Sequence, residues 1–275
     1  MTIALQSATV RFGAVVALDD VTIEVPPGSV VAVVGGDGAG KSTLLRAFVR
    51  EVTLDRGSVQ APDKRQFGYL PAGPGCWAAL SVRQNLDFVG GIYGLTGAAL
   101  AARRAELLDR AGLSDAADRL AGQLSGGMRR KLAACMAMIH RPALLILDEP
   151  STGVDPVSRI DLWRMVSEAA AAGAAVLMST TYLDEAERAA HLAVLDAGRV
   201  LVQGSYDEVR AGFVGAVTRT ERPVRAEWAW RRGRERHEYW PDADPPAGST
   251  ILEPDLEDIV IALSLVRRAG TVVSS

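Results

Sequence analysis

Cysteine is almost missing: only Cys76 and Cys135 occur in the 275 residues, far apart and without metal-ligand spacing. Neither a disulfide framework nor a zinc site is encoded, and a reduced, cytoplasmic setting is expected. Long apolar runs are missing as well. The longest, Ala169 to Met178, is interrupted by Gly173 and falls far short of the roughly 20 residues that span a bilayer. No secretory leader is expected, because Met1-Thr2-Ile3-Ala4-Leu5-Gln6 reads directly as strand. Any membrane role is therefore expected to run through a partner. Charge of one sign is not in excess either. A net charge of −3 gives no general reason to expect nucleic-acid binding. No internal repeat is evident. The 48% hydrophobic and 23% charged content is ordinary for a globular chain, and the length suits one large or two small domains.

What is present is organised around Gly35-Gly36-Asp37-Gly38-Ala39-Gly40-Lys41-Ser42-Thr43. The β-branched run Ser29 to Val34 precedes it and reads as a buried strand; Leu44 to Phe48 follows and reads as helix. Strand, glycine loop, Lys-Ser and helix form the context of a phosphate-binding loop. Glycines let backbone N–H groups wrap a polyphosphate. The helix start adds partial positive charge and Lys41 a full one. Ser42 is placed to ligate Mg²⁺.

Upstream, residues 2–12 and Val21–Val25 read as an antiparallel strand pair, with Phe12 in the loop between them as either a base-stacking or a core aromatic. Downstream, residues 57–60 and 66–70 read as strands. Ser81 caps a helix, and 97–112 forms an amphipathic helix ended by Gly112. Leu124-Ser125-Gly126-Gly127-Met128 opens a helix running to about His140, with Ser125 as cap and the glycine N–H groups as a second anion-seeking helix start. His140, near the C-terminal end of that helix, reads as a structural cap. Ala143 to Leu147 is a buried parallel-type strand ending in Asp148-Glu149. Asp148 is placed to hold Mg²⁺ and Glu149 to polarise an attacking water. Asp155-Pro156 starts another helix. Further strands are expected over 174–179 and 192–196, with a short helix over 183–190. After about residue 213 the composition shifts. Residues 219–236 hold seven arginines and three glutamates around Trp228 and Trp230, read as a small strand-rich appendage with a solvated face. Leu256 to Val266 closes as an amphipathic helix.

Four motifs now stand in one order: the phosphate loop, Leu124–Lys131, Leu144–Glu149 and Ser151–Asp155. Together they resemble the ATP-binding subunits of ABC transporters over roughly residues 2–213. The tail Glu253–Ile259 and Gly68-Tyr69-Leu70-Pro71 look like the drug- and polysaccharide-exporting branch. The resemblance implies an α/β fold of the P-loop ABC ATPase type: a mixed sheet core, an antiparallel β subdomain and a helical subdomain at about 72–140, all within a 1–213 ATPase domain. Residues 214–275 then form the C-terminal appendage. It also implies a head-to-tail dimer around two ATP. Phe12 stacks on adenine, residues 35–43 hold the phosphates, and Ser42 and Asp148 hold Mg²⁺. Glu149 is the catalytic base, Leu124 to Met128 meet the partner's ATP, and Ser151 and Asp155 lie in the dimer-contact loop. A separate membrane permease is implied, placing the chain at the cytoplasmic face of the cell membrane. Two positions depart from the family pattern. Ala72 stands where Gln is usual, and Thr181 where His is usual. The chain's own ATP site is therefore expected to hydrolyse slowly, which favours a heterodimer with a second ABC ATPase subunit. A non-transport regulator acting on a soluble or RNA-containing partner is the alternative.

Overall fold

A computed structural model describes residues 2–273. By contacts the chain divides into two units, Met1–Val200 and Leu201–Ser275.

The first unit opens with a hairpin of β1 (Ala4–Phe12) and β2 (Val15–Glu24). Gly13, at φ 60°, makes the turn, a conformation that glycine adopts without Cβ strain. Phe12 is thus the last residue of a strand, paired with Val15, rather than a loop residue. The second strand starts earlier than its Val21–Val25 core suggests, because bulges let Val15 to Leu18 stay in register with β1 despite the acidic pair Asp19-Asp20. After β3 (Val30–Val34) and α1 (Lys41–Phe48), β4 (Arg56–Gln60) returns to complete a three-stranded antiparallel sheet, β2-β1-β4.

Next come β5 (Phe67–Leu70), α2 (Val82–Ile92), α3 (Gly97–Arg110) and α4 (Gly126–Met138). The three helices pack on one another. Ser81 caps α2 in a capping box with Gln84, and Gly112 at φ 63° ends the turn after α3. They are followed by β6 (Leu144–Asp148), α5 (Pro156–Ala171), β7 (Ala175–Thr180), α6 (Leu183–Ala186), β8 (His191–Asp196) and β9 (Arg199–Gly204). The principal sheet has the order β5-β6-β7-β3-β8-β9. Its pairs β5–β6, β6–β7, β7–β3 and β3–β8 are parallel. The tight turn Ala197-Gly198 sends β9 back beside β8, which makes the sheet mixed. Every residue of β3, β6 and β7 is buried, as expected for strands covered on both faces.

His140 does not cap α4. Its ring stacks on Tyr93 at 3.5 Å, and Nε2 lies 2.8 Å from the Phe67 carbonyl. Burial pushes its pKa below the usual histidine value, so it serves as a neutral packing group rather than a cation on the helix end.

In the second unit, α7 (Tyr206–Ala211) precedes an antiparallel sheet with the order β11-β12-β10-β13, made of β10 (Ala216–Thr220), β11 (Ala229–Arg232), β12 (Glu235–Trp240) and β13 (Thr250–Leu252). The closing helix α8 spans Leu256–Val273, longer than its amphipathic core predicts. Val217, Tyr239 and Ala262 form the core, with Trp228 and Trp230 packed against it. The tryptophans are thus spent on packing. The arginines are partly spent too: Arg225 lies over the Trp240 ring, and Arg232 pairs with Asp255, Glu257 and Asp258.

Candidate active site

The phosphate loop leaves the C-terminal end of β3, in the middle of the sheet, where α/β sheets place ligands. Its glycines divide into two kinds. A Cβ on Gly35 would sit 2.2 Å from the Leu195 carbonyl, and one on Gly40 would sit 2.6 Å from the Ala17 carbonyl. These two are imposed by packing. Gly36 and Gly38 have nothing within 4 Å of a built Cβ, so their open backbone faces whatever the loop wraps. Ala39 is buried, whereas Asp37 and Ser42 are exposed and Thr43 is half-buried. Lys41 opens α1 and is only 6% exposed. Its Nζ donates to the carbonyls of Gly35 at 2.7 Å and Gly36 at 3.1 Å, and lies 3.6 Å from Glu149 Oε1.

The two carboxylates arrive at the end of β6: Asp148 is its last residue and Glu149 the next. Asp148 is buried and accepts a hydrogen bond from the Ser179 hydroxyl at 2.7 Å. The Glu149 N–H donates to the same Ser179 Oγ at 2.9 Å. Its carboxylate accepts from the Thr152 hydroxyl at 3.1 Å. Glu149 has φ 49°, an uncommon conformation for a residue with a Cβ. The chain therefore turns sharply at the residue that projects toward Lys41. Ser179 and Thr180 are the polar residues that end an otherwise apolar buried strand, and that contrast was the signal for Ser179. Oxygen donors from Ser42 and Asp148 suit a hard cation such as Mg²⁺.

The second anion-seeking start is built as its sequence suggests. Ser125 accepts from the Met128 N–H at 3.2 Å and caps α4. Leu124 is buried and Met128 half-buried, while Ser125 and Gly126 are exposed. Gly127 packs on α5, where a Cβ would meet Asp155 Oδ2 at 3.2 Å and Ser158 Oγ at 3.4 Å. Asp155 caps α5 through the N–H groups of Val157 and Ser158, which together with the Ser158 side chain hold its carboxyl below the usual range. Ser151, at the start of this loop, is buried.

The remaining singled-out positions lie on the surface. Phe12 is 53% exposed at the hairpin tip. Ala72 and Thr181 are exposed. It is Thr180, not Thr181, that is committed, donating to the buried Glu185 at 2.7 Å. Arg130 passed unnoticed in the sequence, one helical turn beyond the Ser-Gly-Gly start. It is buried, and its guanidinium reaches the carbonyls of Pro71, Gly73, Asp148, Glu149 and Pro150. Burial holds its pKa below the ordinary arginine value, while Asp148 and Glu149 pull it upward.

Among the described residues no helix is long and apolar enough to cross a membrane. The ABC transporter family model matches residues 18–152. The Nod factor export ATP-binding protein I of Cupriavidus metallidurans is 37% identical, covering 78% of this chain and 75% of that protein. The daunorubicin resistance ATP-binding protein DrrA3 of Streptomyces coeruleorubidus is 36% identical over 76% of this chain and 70% of its own length. Among solved structures, an ATP-binding subunit of an ABC transporter superposes with a TM-score of 0.71 at 31% identity, covering 77% of this chain and 92% of that one. The dimeric bacterial cassette MJ0796 shares the fold at a TM-score of 0.68 and 21% identity, over 74% of this chain and 98% of its own. The carboxylates, the loop lysine and these relatives agree: the chain belongs to the ABC transporter ATP-binding family and is an ATPase.

Proposed function

We propose that this chain powers an exporter by binding ATP between its own phosphate loop and the Ser125–Gly127 helix start of a second subunit. The 3.6 Å approach of Lys41 to Glu149 is the observation that carries the reading. It brings the group suited to phosphate and the group suited to water activation into one site. Mg²⁺, held by Ser42 and Asp148, would neutralise developing phosphate charge. Lys41 and the amides of residues 35–43 hold the polyphosphate, Phe12 offers an exposed face to the base, and Glu149 orients water. Of the stretch Leu124 to Met128 and the loop Ser151 to Asp155, the exposed Ser125, Gly126 and Asp155 and the half-buried Met128 are presented to the second subunit, while Leu124, Gly127 and Ser151 are buried within this one. Residues 1–213 form this ATPase domain, with the helical part at about 72–140, and 214–275 the appendage.

Export is supported by the curated relatives, which are named for Nod factor export and daunorubicin resistance. A groove of about 380 Å³ lies between β5, α2 and α4, lined by Arg50, Glu51, Tyr69, Trp77, Val89 and Tyr93. Its mixture of aromatic and charged groups suits a short segment of a permease, which would hold the chain at the cytoplasmic face of the membrane. Ala72 and Thr181 offer neither the amide nor the imidazole usual at their places. Loss of one such preorganised contact typically costs about 10²–10³ in rate. The chain's own site is therefore the slow one, and the preferred mate is a different ATPase subunit.

Single-turnover hydrolysis by wild type, by Glu149→Gln and by the double variant Ala72→Gln/Thr181→His tests this. The expected order is restored double variant, then wild type, then Glu149→Gln. A double variant no faster than wild type, with ATP affinity intact, overturns the slow-site reading.

A further inference from the structure

Arg130 presents an unusual charge balance. It is 7% exposed, yet among the described residues it forms no ion pair within 4 Å. All its partners are main-chain carbonyls. They are Pro71 at 2.8 Å and Gly73 at 2.7 Å on one side, with Ala72 at 3.5 Å, and Glu149 at 2.8 Å, Pro150 at 3.1 Å and Asp148 on the other. Burying a cation without a direct ion pair is costly; main-chain carbonyl dipoles supply every hydrogen bond here, with the more distant charges of Asp148 and Glu149 behind them. The planar guanidinium can span two loops at once, which a lysine ammonium cannot.

The two loops are not equivalent. One is the turn Pro71–Gly73 after β5, which carries Ala72 and leads on to Gly75 and Trp77 in the groove wall; the other is the turn that carries Glu149. Glu149 sits in left-handed backbone, so its orientation depends on what holds its two peptide groups. Ser179 holds its N–H at 2.9 Å, and Arg130 holds its carbonyl. Arg130 also rides on α4, one turn after Ser125-Gly126-Gly127.

We infer that Arg130 is a positioning residue for hydrolysis: it locks the Glu149 peptide and ties it to the Pro71–Gly73 turn and the start of α4. This rests on the ATP-site reading above. With alanine at 72 there is no polar side chain on that turn to report to the site. The link between groove and carboxylate runs instead through main-chain carbonyls gathered by one guanidinium.

The test uses the full chain with Arg130→Lys, which keeps the charge, and Arg130→Gln, which keeps two donors. Single-turnover rate, half-saturating MgATP and amide exchange of the 71–73 and 148–152 segments are read for each, with melting temperature as the control for folding. The expected result is a rate roughly 10–100-fold lower, half-saturation within threefold of wild type, and faster exchange in both segments together. Arg130→Lys added to Glu149→Gln should cost nothing further. A folded Arg130→Lys with wild-type rate overturns the inference, as does a loss expressed only in half-saturation. If both Arg130 variants fail to fold, exchange in wild-type protein decides: protection of only one of the two segments overturns the link. Glu149→Gln turning over at the wild-type rate overturns the ATP-site reading and this inference together. An inactive Glu149→Gln beside a fully active Arg130→Lys overturns this inference alone.

Discussion

At the scale of single residues, the phosphate loop separates packing from recognition. Gly35→Ala would press a Cβ onto the Leu195 carbonyl, and overpacking of this kind costs about 1–3 kcal/mol. Gly36→Ala meets open space and should leave the melting temperature unchanged while weakening ATP binding at least tenfold, because the methyl lies where the backbone approaches phosphate. Thermal melts and equilibrium nucleotide titration of the two variants check the contrast. Glu149→Gln keeps shape and hydrogen-bonding reach but loses the base. Hydrolysis should fall by about 10²–10³ with ATP affinity retained. The loop, Lys41 and the carboxylate pair were legible in the sequence because each is a local pattern. Ser179 and Arg130 were not. Their partners lie about 30 and 20–60 residues away in sequence; Ser179 is marked only as a polar residue at the end of an apolar strand, and Arg130 is hidden in the basic run Arg129-Arg130-Lys131.

Among elements, the helices show how much a cap and a buried amide decide. Asn85, fully buried in α2, accepts from the Trp77 N–H at 2.8 Å and donates to the carbonyls of Trp77, Leu80 and Ser81. It holds the turn that feeds the helix. Asn85→Ala leaves those groups without partners and should cost about 1–3 kcal/mol, seen as a lower urea midpoint with an unchanged slope. His140 gives a pH signature. Burial lowers its pKa in the fold, so as pH falls through the ordinary histidine range, near ~6.5, the unfolded chain takes the proton first. Its contribution to stability is full above that range and is lost as pH falls toward the lowered value. The melting-temperature difference between wild type and His140→Gln should therefore shrink between pH 7.5 and 5.5. Helix starts at Ser81, Ser125 and Asp155 followed directly from sequence. The fate of His140 did not, since its stacking partner Tyr93 caps the end of α2 and its acceptor Phe67 comes from β5.

For the whole molecule, the proposed sandwiching of ATP predicts nucleotide-dependent association. The Glu149→Gln chain should sediment as a heavier species with MgATP and revert on chelation of Mg²⁺; the proposed heterodimer further predicts that a second ABC ATPase subunit promotes this association. Sedimentation velocity with and without chelator checks this. The mixed architecture was foreseeable because the motifs carry their own topology; the order of the strands was not, because it is set by packing between distant segments.

That order bears on how the chain is made. β3 pairs on one side with β7, which begins at Ala175, and on the other with β8, which begins at His191. A ribosome adding about 5–20 residues per second leaves the five apolar residues of β3 without either neighbour for on the order of ten seconds. During that interval the nascent chain carries an unpaired aliphatic strand. Its yield in a cell therefore depends on what shields that strand until the far half of the sheet emerges.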